Sequence, residues 1–196
     1  MSSRINQLPW GWIWAASIIG VWLVVAVALG QPVWTQQHSR DLVAFGTFRG
    51  DTLTWAESWR LIASQWLHVK FPHMLLNALL IGLIGQALAQ RFGGAIMLGA
   101  GVALGAVGQV AGALLMPDAY ISGASQAYLG LAAIGLLTLP LRSVGWGASA
   151  VGVAVALALD LFVSGHGAAK VGHVLPFVLG LGTGLLLRRA AKQETA

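Results

Sequence analysis

The chain reads as an all-α membrane protein, a compact bundle of six transmembrane helices with an interfacial loop after the first. Three observations predict this. Hydrophobic residues make up 57% and charged residues 9% of the 196 positions, and the mean hydropathy of +0.77 is far above that of a soluble domain of this size. Apolar runs long enough to cross a bilayer recur along the chain, separated by short charged breaks. Inside them glycines recur at four-residue spacing, at Gly101 and Gly105, Gly108 and Gly112, and Gly180 and Gly184. That period lets helix backbones approach closely where lipid offers no hydrophobic drive.

Taken in order, the spans are expected at about 11–30, 71–90, 92–116, 119–141, 143–161 and 171–187, all within a single domain covering residues 1–196. The first is an uncharged run of 20 residues from Gly11 to Gly30, flanked by Trp10, Trp12 and Trp14. Its length and the weakly charged segment before it favour a retained helix over a signal peptide. Residues 31–70 mix Arg40, Asp41, Arg49, Asp51, Glu57, Arg60 and Lys70 with Trp34, Trp55, Trp59 and Trp66, the composition of a loop resting on the bilayer interface. The later spans are set off by Arg91, Asp118, Arg142 and the turn from Asp160 to Lys170.

Composition also excludes several function classes. Cysteine is absent, which rules out a disulfide framework, a zinc thiolate site and a thiol nucleophile. No cofactor or metal is expected. The formal charge of +5 comes from eleven scattered Lys and Arg, with a small cluster only at Arg188, Arg189 and Lys192. Such charge belongs to loops at a lipid bilayer surface and does not call for nucleic acid. An inner amino terminus places Arg4, Arg91, Arg142, Arg188, Arg189 and Lys192 inside against five basic residues outside. Three of those five lie in the first loop beside acidic residues, so both termini are expected on the cytoplasmic side, in a bacterial inner membrane.

Polar residues then stand out within three spans: His73 and Asn77 in the second, Ser122, Ser125 and Gln126 in the fourth, and His173 in the sixth. With the amino terminus inside, these helices all run inward. His73 and His173 each lie three residues after a lysine, and Asn77 and Ser125 each lie seven residues after a charge. At about 1.5 Å per residue the four sit in one layer roughly 5 to 10 Å below the outer interface. His73 and Asn77, four apart, share one helix face. Taken singly, each residue is ordinary interhelical glue. As a set at one depth they point to function, because polar groups in lipid are costly.

The layer holds the parts of an acyl-transfer site: a hydroxyl, an imidazole to take its proton, and amide and imidazole donors for an oxyanion. Ser125 near the start of its helix gains free backbone N–H groups and the positive end of the dipole. The acidic residues fall in loops or near helix ends, so the sequence predicts a Ser/His dyad without an orienting carboxylate.

Four segments resemble the rhomboid family of intramembrane serine proteases. Trp59 and Arg60 resemble the Trp-Arg pair of the family's first loop, and H-V-K-F-P-H-M-L-L-N from His68 to Asn77 resembles its second-helix signature of two histidines and an asparagine. Gly123-Ala124-Ser125 followed by Gly130 resembles its G-x-S-G nucleophile segment, and His173 with Gly180 resembles the sixth-helix histidine and its downstream glycine. The resemblance implies a six-helix fold with Ser125 as nucleophile and His173 as general base. It further implies that His73, Asn77 and the Ser125 N–H line the oxyanion hole, that His68 is a supporting residue, that a gate lies at the fifth span, and that the substrates are transmembrane proteins. Gln126 stands where the family has its second glycine, Leu129 and Tyr128 stand around a usual aromatic position, and Pro176 replaces a common glycine. Gln126 is a further candidate oxyanion donor.

Ser122 is the alternative nucleophile and His166 the alternative base. Choosing Ser122 displaces Gly130 from its family position and leaves Tyr120 where a glycine is expected. Two other function classes share part of the pattern: a catalytically silent rhomboid-like factor that binds membrane proteins, and a small transporter relaying charge through histidines. Against the transporter stand the shallow polar layer and the lack of carboxylates within the spans.

Overall fold

The computed structural model describes residues 8–163 and 169–193; Arg4 and His166 lie outside them. Helix α1 (Trp10–Ala28) precedes a long loop that holds short 3₁₀ turns, the two-residue strand β1 (Phe48–Arg49) and the single-turn helix α2 (Arg60–Ala63). There follow α3 (Phe71–Phe92), α4 (Gly94–Leu115), strand β2 (Tyr120–Ile121), α5 (Ser125–Thr138), α6 (Val144–Val163) and α7 (Val171–Gln193). Two of these helices loosen into π turns, α3 at Ile81–Gly85 and α6 at Leu159–Val163.

The local chemistry explains the breaks. Pro72 sits in the first turn of α3, where its missing N–H costs nothing. Gly93, with φ of 93°, makes the sharp reversal into α4 that a residue with a Cβ resists. Ser143 caps α6 by accepting a hydrogen bond from the Trp146 N–H at 3.2 Å.

Among the described residues, five helices (α1, α3, α4, α6 and α7) are long and apolar enough to cross a membrane. Helix α5 differs from the expected 23-residue span over 119–141. It has 14 residues, about 21 Å at the helical rise, which is short of the roughly 30 Å hydrocarbon core. The preceding residues are spent on β2, which pairs antiparallel with β1 through Phe48 with Ile121 and Arg49 with Tyr120.

Every residue from Ser125 to Gly135 is buried, so α5 is the central helix, flanked by α4, α6 and α7. Around it Trp14, Ile18 and Trp22 of α1, Met74, Ile81 and Ile84 of α3, and Leu131 and Ile134 of α5 share one apolar core. Helix α1 is thus part of the core. The first loop folds as well: the Arg60 guanidinium donates to the carbonyls of Val43 at 2.6 Å and Thr47 at 3.1 Å. Leu42 and Phe48 are buried beneath it.

Close approach through glycine is clearest where α5 meets α7. A Cβ on Gly180 would stand 2.4 Å from the Gly130 carbonyl oxygen. Pro176, inside α7, does not prevent that contact. Its missing N–H leaves the Gly172 carbonyl without its partner four residues on, and that oxygen turns toward α4, where a Cβ on Gly108 would meet it at 2.6 Å. We expect Gly180→Ala to cost about 1–3 kcal/mol by overpacking. Gly182→Ala, with nothing among the described residues within 4 Å of its Cβ position, should be neutral or stabilising by up to about 1 kcal/mol. Denaturation of both variants in detergent micelles measures the difference.

Candidate active site

The start of α5 is buried within the bundle, and the segment before it is pinned from three sides. Gly123 takes φ of 109°, its N–H donates to the Ser64 carbonyl at 2.9 Å, and its carbonyl accepts from the Gln109 amide of α4 at 3.1 Å. The Ala124 N–H donates to His68 Nε2 at 3.3 Å. Among the described residues no side chain caps α5, and the N–H groups of its first turn have no intrahelical partners.

At that terminus the Ser125 Oγ lies 2.8 Å from His173 Nε2 of α7. The other ring nitrogen, Nδ1, lies 2.7 Å from Oδ2 of Asp160, in the π turn that ends α6. With the carboxylate accepting the Nδ1 proton, Nε2 carries the lone pair and accepts the serine hydroxyl. Asp160 is only 2% exposed. It also accepts from the Lys170 backbone N–H at 3.0 Å, and the Lys170 ammonium stands 3.6 Å away. A hydroxyl, an imidazole and a carboxylate from three helices thus lie in line.

The sequence reading missed Asp160 by leaving it at the end of its span, beside the turn to Lys170. A signal was present, because the residue is flanked by Leu157, Ala158 and Leu159 on one side and Leu161, Phe162 and Val163 on the other. An acid inside an apolar run is costly enough to demand a partner.

Ser125 and His173 open onto a cavity of about 620 Å³ whose wall also carries His73, Gln126, Ser122, Tyr128 and Asp160. Of the two serines, the imidazole contact among the described residues falls on Ser125. The Gln126 side-chain carbonyl lies 3.3 Å from the Ser125 Oγ as a second acceptor for its proton. A second cavity, of about 530 Å³, is lined by Gln86, Arg91 and Ser143 among others, with no histidine among the described residues on its wall.

Asn77 is fully buried and donates from Nδ2 to His68 Nε2 at 2.8 Å, so in this geometry it serves His68. His73 packs its ring edge-on to His68 at 5.6 Å and reaches the cavity. Trp59 and Arg60 lie away from the cavity, Arg60 fastening the first loop with its guanidinium over the Trp59 ring. Gly130 and Gly180 form the crossing of α5 and α7, and Gly123 the turn before Ser125.

His68 is the hub of the support. Nε2 accepts from both Asn77 and Ala124, which leaves the proton on Nδ1, 3.3 Å from the Trp66 carbonyl. Burial, with a smaller contribution from neighbouring His73, pushes its pKa down to about 3, against a weak opposing effect of the Trp66 carbonyl.

Among the described residues, five helices long and apolar enough to cross a membrane define a polytopic integral membrane protein. The chain belongs to the rhomboid family: the family's profile, described as Rhomboid domain, matches residues 56–190, a stretch that contains every site residue named above. RHOMBOID-like protein 7 of Arabidopsis thaliana is 38% identical over 77 residues, covering 37% of this chain and 23% of that protein. The similarity therefore spans less than a quarter of the relative's length.

The depressed His68 pKa has a consequence for stability. An imidazole near 3 when folded and at its ordinary 6.5 when unfolded takes up a proton on unfolding between those values. Its contribution is therefore complete above pH 6.5 and is lost as the pH falls toward 3. Denaturation at pH 6.5 and 4.5 should show a loss of about 2 kcal/mol in the wild type and a shallower loss in His68→Gln.

Proposed function

We propose that the protein is an intramembrane serine endopeptidase that cleaves peptide bonds in or beside the transmembrane segments of other membrane proteins. The observation that carries this reading is the 2.8 Å contact of Ser125 Oγ with His173 Nε2 at the wall of a largely apolar cavity. Family membership supports it. In this reading Ser125 attacks the scissile carbonyl carbon while its proton passes to His173 Nε2. The oxyanion is stabilised by the free N–H groups opening α5, with His73 and the Gln126 amide on the same cavity wall. His173 then protonates the leaving amine, and the C–N bond breaks. Water, deprotonated by the same imidazole, attacks the acyl-enzyme carbonyl, and the imidazolium returns that proton to Ser125 Oγ as the ester bond breaks. Asn77 and His68 act through the loop they hold, and the remaining small residues allow close packing. The basic tail at Arg188 and Arg189 supports cytoplasmic termini and a cavity that takes water from the outer face of a bacterial inner membrane.

One observation favours a second reading, a silent relative that binds membrane proteins. The Gln126 carbonyl near Ser125 Oγ competes with His173 for the hydroxyl proton. A serine-directed phosphonate probe on purified protein decides between them. We expect labelling of the wild type and of Ser122→Ala, and its loss in Ser125→Ala. Cleavage of a transmembrane substrate should fall about 1,000-fold or more in His173→Ala. No labelling and no cleavage by the wild type would favour the silent relative. Unchanged cleavage by Gln126→Gly would remove that side chain from the oxyanion site.

A further inference from the structure

We infer that Asp160 is a positioning residue that turns the serine and histidine into a three-membered relay, an assignment that rests on the protease reading above. Three observations converge on it. The carboxylate approaches the ring nitrogen opposite the one that faces Ser125, at 2.7 Å. It is 2% exposed in a segment otherwise made of Leu, Phe and Val, where an ionised group persists only with strong partners. It also sits in the π turn at the end of α6, a local departure from α-helical winding that is frequent at functional sites.

A purely architectural account treats Asp160 as a tie between α6 and the start of α7 through Lys170. The geometry argues against that account as sufficient. The Lys170 ammonium is at 3.6 Å, whereas the imidazole is at 2.7 Å and is aligned on Nδ1. The Lys170 backbone N–H at 3.0 Å holds the same oxygen that faces the ring, so it fixes where the acceptor lies.

The consequences follow from proton bookkeeping. An ionised Asp160 keeps the Nδ1 proton in place, which leaves Nε2 unprotonated and ready to accept from Ser125. When Nε2 takes that proton, the imidazolium gains a buried negative neighbour. Asp160 itself stays ionised throughout, as does its counterpart in soluble serine proteases. Among the described residues, the titratable groups that share the cavity wall with His173 are Asp160 on α6, His73 on α3, Tyr128 and Tyr120, and Lys70 and Lys170 at the helix starts. Asp160 is the carboxylate among them.

The test combines kinetics with a spectroscopic reading of the ring. In Asp160→Asn we expect kcat on a transmembrane substrate to fall about 100-fold or more with KM within about threefold. Asp160→Glu should recover at least about tenfold of that loss. Proton NMR of histidine-labelled protein should show the His173 Nδ1 proton at the low field of a carboxylate-bonded imidazole. That signal should be present in the wild type and in Ser125→Ala and absent in Asp160→Asn. A merely architectural role would lower the unfolding midpoint and raise KM without this kcat loss, and would overturn the assignment. So would an active wild type with no such low-field signal, a reading that needs no variant to fold. If the wild type cleaves and Asp160→Asn matches it within about threefold, this assignment fails while the protease reading stands. A wild type that neither labels nor cleaves overturns both.

Discussion

The length of α5 is the constraint on which the rest of the structure depends. A helix of 14 residues, buried along most of its course, has its first turn buried inside the bundle. The antiparallel pairing of Phe48 and Arg49 with Ile121 and Tyr120 and the bonds on Gly123 and Ala124 hold that start in place. In a longer helix the N–H groups that open α5 would close intrahelical bonds. The short helix leaves them available beside the Ser125 hydroxyl.

Burying polar groups among apolar helices is tolerable because most of them have assigned partners. His68 takes two hydrogen bonds on Nε2 and reaches the Trp66 carbonyl through Nδ1. Gln65 donates to the carbonyls of Leu61 and Val102, and Gln109 holds the Gly123 carbonyl. These bonds link the first loop, α3, α4 and the turn before α5, so the serine inherits its position from residues that never reach the cavity. The small residues complete the arrangement. Gly130 with Gly180, and Gly108 with Gly172, bring α5, α7 and α4 to near backbone contact, which sets the distance across which His173 meets Ser125.

Asp160 connects this framework to α6. Its carboxylate bonds the ring of His173 and the backbone of Lys170, so the end of α6 and the beginning of α7 are coupled through a charged group rather than through apolar packing alone. Such a bond is directional. It aligns the imidazole as well as holding it, which distinguishes it from the glycine contacts deeper in the bundle.

Much was legible in the residues themselves. The hydropathy runs locate the membrane helices, the glycine spacing anticipates their close approach, and charged flanks put Ser125, His73 and His173 at one depth. These features depend on local composition and on a fixed rise per residue, so they survive without knowledge of the fold. Three things did not. Strand pairing with a loop some 70 positions earlier truncates α5, and an apolar run from 119 to 141 carries no mark of it. Asn77 turns to His68 because both are buried at one junction, although its spacing from His73 alone suits the cavity. Asp160 lies 13 positions before His173 in the chain, and only the packing of α6 beside α7 brings carboxylate and ring together. Helical periodicity determines depth and face within each segment. Which faces meet is decided by side-chain packing between segments, and that packing exists only in the tertiary structure.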